Sequence, residues 1–124
     1  MRTTTRILVI DDDAHIRALL RMALEDTGYE VAEAPNAAVG MQHYRAQPTD
    51  LVITDLCMPE INGFDVIIDL RRDFPEARIV AMSGGAGGAH DLLPIAKGLG
   101  AVQIIQKPFD LWAFIETVQD VLAS

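Results

Sequence analysis

The chain has 124 residues, of which 50% are hydrophobic and 23% are charged, a balance that suits one folded domain and excludes wholesale disorder. The net charge of −8 excludes most nucleic-acid binders, because neutralising phosphates requires clustered lysine and arginine. One cysteine, Cys57, excludes an internal disulfide. Every apolar run is shorter than a membrane span, so we expect no membrane helix. The first residues lead directly into an apolar segment, so we expect no signal peptide. We therefore expect a cytoplasmic domain.

Five short apolar segments predict β-strands. The first, third and fourth are continuously apolar, as expected for central strands that are buried on both faces. The second includes Glu30 and Glu33, as expected nearer the edge of a sheet. The predicted strands are Ile7–Ile10, Tyr29–Ala34, Leu51–Thr54, Arg78–Met82 and Val102–Ile105.

Helix-patterned segments follow each of these strands, and most carry a start or stop signal. Gly28 would end the first helix, Asn36 would cap the second, and Asp110 would cap the fifth. The predicted helices are Ala14–Asp26, Asn36 to the residue before Pro48, Phe64–Asp73, His90–Leu99 and Leu111–Leu122. This alternation predicts an α/β fold of the (βα)5 type, a doubly wound five-stranded parallel sheet with helices on both faces.

Polar side chains follow four of the predicted strands at the point where each strand ends. Because parallel strands end at one edge of the sheet, these side chains should converge. Carboxylates suit Mg²⁺, and a carboxylate can also act as a nucleophile that forms an acyl phosphate. Lysine and serine can stabilise phosphoryl oxygens, so the set indicates in-line phosphoryl transfer. Its members are Asp11, Asp12 and Asp13 after strand one, Asp55 after strand three, Ser83 after strand four and Lys107 after strand five.

The chain contains five sequence strings in a characteristic order: ILVIDDD (7–13), DLVITDLCMP (50–59), NG (62–63), AMSG (81–84) and KPF (107–109). Together they cover essentially the whole chain and resemble the response regulator receiver domains of the CheY-like superfamily. The resemblance implies one receiver domain over residues 1–124, with a flavodoxin-like fold and strand order 2-1-3-4-5.

The resemblance also implies a function in two-component signal transduction. Asp55 would accept a phosphoryl group from the phosphohistidine of a sensor histidine kinase or a phosphotransfer protein, and Ser83 and Lys107 would bind that group. The phosphorylated domain would switch conformation and act on an output domain or partner through the face of helix four, strand five and helix five. It would be a phosphoacceptor rather than an enzyme, with no direct contact to nucleic acid or membrane, and a homodimer is left open.

The cofactor implied by the resemblance is Mg²⁺. Asp12 and Asp55 would bind the ion directly, and the backbone carbonyl of Cys57 would be the third protein ligand. Asp11 would act through water or position the ion. Asp13 would be a secondary contributor or the cap of the first helix.

Three features depart from the family pattern. Ile104 stands where an aromatic ring usually changes rotamer, Cys57 is uncommon at its position, and the glycine-rich segment Gly84–Gly88 follows Ser83. Ile104 keeps open an alternative, a receiver-shaped interaction module with weak or no phosphorylation, whereas the intact set of acids argues against it. Trp112 could belong either to the core or to an exposed partner face.

Two other classes of protein fit less well. A Mg²⁺-dependent phosphatase with an aspartyl nucleophile would use Asp11, after the first strand, and would leave Asp55 without a role. A nucleotide-binding or flavodoxin-like module is disfavoured because the acidic first turn would repel phosphates and no Gly-x-Gly-x-x-Gly follows the first strand.

Overall fold

The computed structural model describes residues 4–56, 63–83, 98, 101, 103–106 and 110–123. Within these residues, five parallel strands form one sheet in the order β2-β1-β3-β4-β5. The strands are β1 (Arg6–Ile10), β2 (Glu30–Ala34), β3 (Leu51–Asp55), β4 (Ile79–Ser83) and β5 (Gln103–Gln106). The helices are α1 (Ala14–Asp26), α2 (Ala37–Ala46), α3 (Gly63–Asp73) and α4 (Leu111–Ala123).

This architecture confirms the predicted parallel α/β fold and its strand order. Helix α4 corresponds to the fifth helix predicted from the sequence, whereas the predicted fourth helix lies almost wholly outside the described residues, as does the segment Gly84–Gly88. As predicted, the continuously apolar strands β1, β3 and β4 are central, and every residue of β3 and β4 is buried. Strand β2, with its exposed Glu30, forms one edge.

Helices pack on both faces of the sheet because successive strand residues point to opposite sides. Leu8 and Ile10 of β1 belong to a core cluster that includes side chains of α2 and α3. Ile7 and Val9 belong to a second cluster that includes side chains of α1 and α4. The two clusters hold the sheet between two helical layers, which fixes the ends of its strands.

The helix ends follow local signals in the sequence. Gly28, after α1, has a φ of 106°, in the left-handed region that favours glycine. Asn36 caps α2, its side-chain oxygen accepting a hydrogen bond of 2.9 Å from the N–H of Val39. Asp110 accepts a hydrogen bond of 3.0 Å from the N–H of Trp112 at the start of α4. Each signal that we predicted at these three positions is confirmed.

Several bounds differ by one residue from those predicted. Strands β3 and β4 continue to Asp55 and Ser83, since the parallel ladder pairs Asp55 with Met82 and Ser83 with Gln106. Both polar residues are therefore the last residues of strands rather than the first residues of loops. Trp112 is 80% exposed, which excludes the core, one of the two alternatives left open for it. None of the described helices is long and apolar enough to cross a membrane.

Candidate functional site

Three carboxylates meet at the carboxyl edge of the sheet. One oxygen each from Asp11, Asp12 and Asp55 lies within 4.8 Å of the others. Asp11 is fully buried, Asp55 is only 4% exposed, and Asp12 is exposed to solvent. Two like charges about 4 Å apart repel by roughly 4 kcal/mol at an effective dielectric of about 20. The fold therefore assembles a site at which a cation would relieve repulsion.

The donor set at this edge fits Mg²⁺. All three side chains offer hard carboxylate oxygens, the ligands that this ion prefers. Mg²⁺ usually takes only one or two carboxylates and keeps several waters, so it needs a site with an open side. Exposed Asp12, beside two buried acids, provides that open side.

Asp11 is held by hydrogen bonds at three different atoms. Its N–H donates to the carbonyl of Ala34 at 3.1 Å, and its Oδ1 accepts from the N–H of Asp13 at 2.9 Å. Its backbone carbonyl accepts from Nη1 of Arg17 at 2.8 Å. The first acid of the cluster thus has its peptide groups and its carboxylate fixed before any ion binds.

Asp13 has a different role from its two neighbours. It is the N-cap of α1, and its Oδ1 accepts hydrogen bonds from the N–H of His15 at 2.9 Å and of Ile16 at 3.3 Å. A side-chain oxygen at this position satisfies N–H groups that have no partner within the helix. Of the two roles proposed from the sequence for Asp13, the structure therefore favours the cap.

Ser83 brings a buried hydroxyl to the same edge of the sheet. The residue is fully buried, and its Oγ has no hydrogen-bond partner among the residues that the structure describes. Strand β4 is the neighbour of β3, so Ser83 lies one residue beyond the level of Asp55. A buried hydroxyl without a partner costs about 1–3 kcal/mol. Among the described residues, the Oγ of Ser83 is therefore a buried donor without an acceptor at the carboxyl edge of the sheet.

A network of ion pairs beside the acids was missed by the sequence analysis. Arg17 donates through Nε to Glu33 at 3.3 Å, and Arg21 donates through Nη1 to the other oxygen of Glu33 at 2.8 Å. Hydrogen bonds to Glu33 and Glu25 raise the pKa of the Arg21 guanidinium. No local spacing in the sequence signals these contacts, because the side chain of Arg17 bonds a backbone carbonyl and a residue of the neighbouring strand.

Two residues of the predicted site, Cys57 and Lys107, lie outside the described part of the chain. Their roles therefore stay predictions that rest on the motifs. Ile104, at the position of the usual aromatic switch, lies in β5 opposite Ala81.

The sequence model of the response regulator receiver domain matches residues 7–119. The chain belongs to this family. The family prediction made from the five sequence strings is therefore confirmed, and so is the function in two-component signal transduction that it carries. Receiver domains are phosphoacceptor signalling modules, and they generally bind Mg²⁺ in an acidic pocket such as the one formed here by Asp11, Asp12 and Asp55.

Individual receivers resemble the chain in sequence. It is 37% identical over 122 residues to the DNA-binding transcriptional regulator NtrC of Rhizobium meliloti, and the match covers 98% of this chain and 25% of NtrC. It is 35% identical over 117 residues to the chemotaxis protein CheY of Thermotoga maritima, with 94% of this chain and 96% of CheY covered. The chain thus spans about a quarter of NtrC and nearly all of CheY.

Solved receiver structures have the same fold. The receiver domain of NtrX from Brucella abortus superposes with a TM-score of 0.88 at 28% identity, and covers 95% of this chain and 98% of its own. The chemotaxis protein CheY4 of Vibrio cholerae superposes with a TM-score of 0.87 at 25% identity, over 96% of this chain and 99% of its own. In the receiver family generally, a kinase or phosphotransfer protein and an output domain are the partners.

Proposed function

We propose that residues 1–124 act as one receiver domain in which Asp55 accepts a phosphoryl group from a phosphohistidine of a sensor histidine kinase or phosphotransfer protein. The observation that carries this proposal is the convergence of three carboxylates within 4.8 Å at one edge of the sheet. The strand order supports the choice of Asp55, because β3 lies between β1 and β4. Asp55 therefore stands between the acids of β1 and the hydroxyl of Ser83.

Asp11 is less suited to be the acceptor, although it is also a buried carboxylate. One of its carboxylate oxygens already accepts a hydrogen bond from the N–H of Asp13, and its backbone is held on both sides. Asp12 is exposed at the open side of the cluster, which suits a metal ligand in contact with solvent. In this proposal Asp11 positions the site, Asp12 binds the metal, and Asp55 both binds the metal and accepts the phosphoryl group.

The metal site would consist of Asp12 and Asp55 as direct ligands, with the backbone carbonyl of Cys57 as a third and Asp11 acting through water. Mg²⁺ bound there would neutralise carboxylate and phosphoryl oxygens, so that an anionic nucleophile can approach an anionic donor. The Cys57 ligand rests on its place in the DLVITDLCMP motif.

The phosphoryl group would be bound by two further residues. As an oxygen of Asp55 forms its bond to phosphorus, the nitrogen–phosphorus bond of the phosphohistidine breaks and the imidazole leaves. Ser83 would donate its hydroxyl hydrogen to a phosphoryl oxygen, which gives that buried group a partner. Lys107, placed by the KPF motif, would pair with another oxygen.

The added charge would then change the conformation of the domain. A phosphoryl group brings about −1.5 to −2 charges, which would draw Ser83 and Lys107 inward. The change would pass to an output domain or partner through the face of the predicted fourth helix, strand β5 and helix α4, with or without homodimer formation. In this proposal the chain promotes its own phosphorylation and dephosphorylation and is not an enzyme that turns over a separate substrate.

Intact-mass spectrometry after incubation with acetyl phosphate and Mg²⁺ tests the proposal. The native chain should gain the mass of one phosphoryl group, and Asp55→Asn should not. Asp65→Asn is the matched control, because Asp65 is an exposed acid of α3 that is not a member of the cluster, and it should gain the group normally. Removing Mg²⁺ with EDTA should abolish the gain in every variant.

Two outcomes would contradict the proposal. An equal gain in Asp55→Asn would place the phosphoryl group elsewhere. No gain in the native chain, either from acetyl phosphate or from phosphoramidate, would favour the receiver-shaped interaction module instead.

A further inference from the structure

The guanidinium of Arg17 bridges the acid cluster and the edge strand β2. Its Nη1 donates to the backbone carbonyl of Asp11 at 2.8 Å, and its Nε donates to Oε1 of Glu33 at 3.3 Å. The Arg17 side chain is only 18% exposed, so water competes weakly for these contacts. The family roles discussed above leave this residue without a function.

The carbonyl that Arg17 holds belongs to the peptide group between Asp11 and Asp12. Both of these residues contribute carboxylates to the cluster. The preceding peptide group is fixed separately, by the hydrogen bond from the N–H of Asp11 to Ala34. Holding the Asp11 carbonyl therefore sets the plane of the peptide group from which the side chains of both acids diverge.

We propose that Arg17 is a positioning residue of the metal site, which orients the Asp11–Asp12 peptide group so that both carboxylates face one ion. This inference rests on the proposed function, since it concerns the same Mg²⁺ site. Glu33 completes the arrangement in two ways. It anchors the guanidinium by an ion pair, and its negative charge offsets the positive charge that Arg17 brings close to a cation site.

Positioning and simple electrostatics predict opposite changes in Mg²⁺ affinity when Arg17 is replaced. A positive charge near the cluster, acting only through space, disfavours a divalent cation, so its removal would tighten Mg²⁺ binding. If Arg17 acts by holding the peptide group, its removal weakens Mg²⁺ binding although the site becomes more negative. The direction of the change therefore distinguishes the two effects.

Arg21 provides a matched control within the same helix. It pairs with the same Glu33 carboxylate, at 2.8 Å, and its other ion pair is with Glu25 at 3.2 Å. Replacing Arg21 by methionine changes the net charge by the same amount as replacing Arg17. Of these two arginines, Arg17 is the one that donates to the carbonyl of Asp11, so its loss should disturb the cluster and the loss of Arg21 should not.

Calorimetric titration with Mg²⁺ is the first measurement. We expect Arg17→Met to raise the Kd for Mg²⁺ by about tenfold, as is typical when a group that orients metal ligands is removed. Arg21→Met should stay within about twofold of the native Kd, since a solvent-screened charge acts weakly. An unchanged or lower Kd in Arg17→Met would overturn the inference, as would an equal rise in both variants.

A second measurement needs no metal. In EDTA, the ¹⁵N–¹H resonance of the Asp12 amide, which belongs to the same peptide group as the Asp11 carbonyl, should shift in Arg17→Met and stay in place in Arg21→Met. An unshifted Asp12 resonance would overturn the inference without touching the proposed function. Failure of the native chain to bind Mg²⁺ at all would overturn both.

A third variant covers the case in which Arg17→Met does not fold. Arg17→Lys keeps the charge but replaces two fixed donor nitrogens by one, so that one ammonium must serve both the Asp11 carbonyl and Glu33. We expect its Mg²⁺ affinity to lie below that of the native chain while its net charge is unchanged. Native affinity in Arg17→Lys would contradict positioning by the guanidinium fork.

Discussion

At the scale of single residues, Ser83 should affect stability and phosphorylation in opposite directions. Its buried Oγ has no partner among the described residues, so Ser83→Ala removes a desolvated hydroxyl rather than a hydrogen bond. We expect the free energy of unfolding in urea to stay equal or to rise by about 1 kcal/mol. The same variant should accumulate less phosphorylated protein with acetyl phosphate, because a donor to the phosphoryl group is lost.

Thr49 offers the matched control for this prediction. It is also buried, but its Oγ1 donates to the carbonyl of Leu51 at 2.9 Å, at the opposite end of β3 from Asp55. Thr49→Val should therefore lower the free energy of unfolding by about 1 kcal/mol and leave phosphorylation unchanged. A loss of stability in Ser83→Ala as large as in Thr49→Val would contradict the assignment of an unpaired hydroxyl.

The residues of the site differed in how far sequence could predict them. Asp11, Asp12 and Asp55 were predictable because they stand at the carboxyl ends of apolar strands, and parallel strands end together at one edge of the sheet. Arg17 was not predictable in the same way. Its role depends on a hydrogen bond to a backbone carbonyl and on Glu33 of the neighbouring strand, and neither contact leaves a pattern in the sequence.

At the scale of elements, the packing of α2 on β1 depends on Gly40. A Cβ built on Gly40 would overlap Cδ1 of Ile10 and would lie 2.8 Å from its Cγ1. Ile10 is buried, so its side chain has little room to move away. Overpacking costs about 1–3 kcal/mol, against a gain of roughly 1 kcal/mol in helix propensity. We expect Gly40→Ala to lower the free energy of unfolding in urea by up to about 2 kcal/mol.

A double-mutant cycle with Ile10→Val checks that the cost arises from this contact. Ile10→Val removes Cδ1 and should alone cost about 0.5–1.5 kcal/mol. In its presence Gly40→Ala should cost less than in the native chain, because the overlap with Cδ1 is removed while the close contact with Cγ1 remains. Additive losses in the double variant would show that Gly40 is required for another reason.

Elements were predicted well where one local signal dominated. The buried β1, β3 and β4 were predictable from continuous apolar runs. The start and end of α1 carry local signals in Asp13 and Gly28, and the start of α2 carries one in Asn36. The ends of β3 and β4 were set one residue too early. Ladder pairing with the neighbouring strand carries Asp55 and Ser83 into the sheet, and no local property of a polar residue indicates that.

At the scale of the whole molecule, the fold brings carboxylates from two central strands together in a chain that already carries a net charge of −8. Gathering like charges opposes folding when no cation is bound, whereas a bound cation stabilises only the folded state. The acid cluster should therefore reduce stability without Mg²⁺ and increase it with Mg²⁺. Function and intrinsic stability are opposed at this edge of the sheet.

Asp12→Asn tests this opposition, because Asp12 is the exposed member of the cluster and its replacement keeps the size of the side chain. In EDTA we expect the free energy of unfolding to rise by about 1 kcal/mol, because removing one charge relieves repulsion within the cluster. The rise is small because solvent screens the exposed charge of Asp12. In the native chain, Mg²⁺ at about 100 times its Kd should add about 2.7 kcal/mol. In Asp12→Asn that addition should largely disappear.

Glu116→Gln is the control for net charge, since Glu116 is an exposed acid of α4 and not a member of the cluster. It should respond to Mg²⁺ like the native chain and show no comparable gain in EDTA. An equal gain in Glu116→Gln would assign the effect to overall charge, and full Mg²⁺ stabilisation of Asp12→Asn would remove Asp12 from the metal site. Thermal unfolding of the three proteins at constant ionic strength, with and without Mg²⁺, separates these outcomes because only the cluster links stability to the ion.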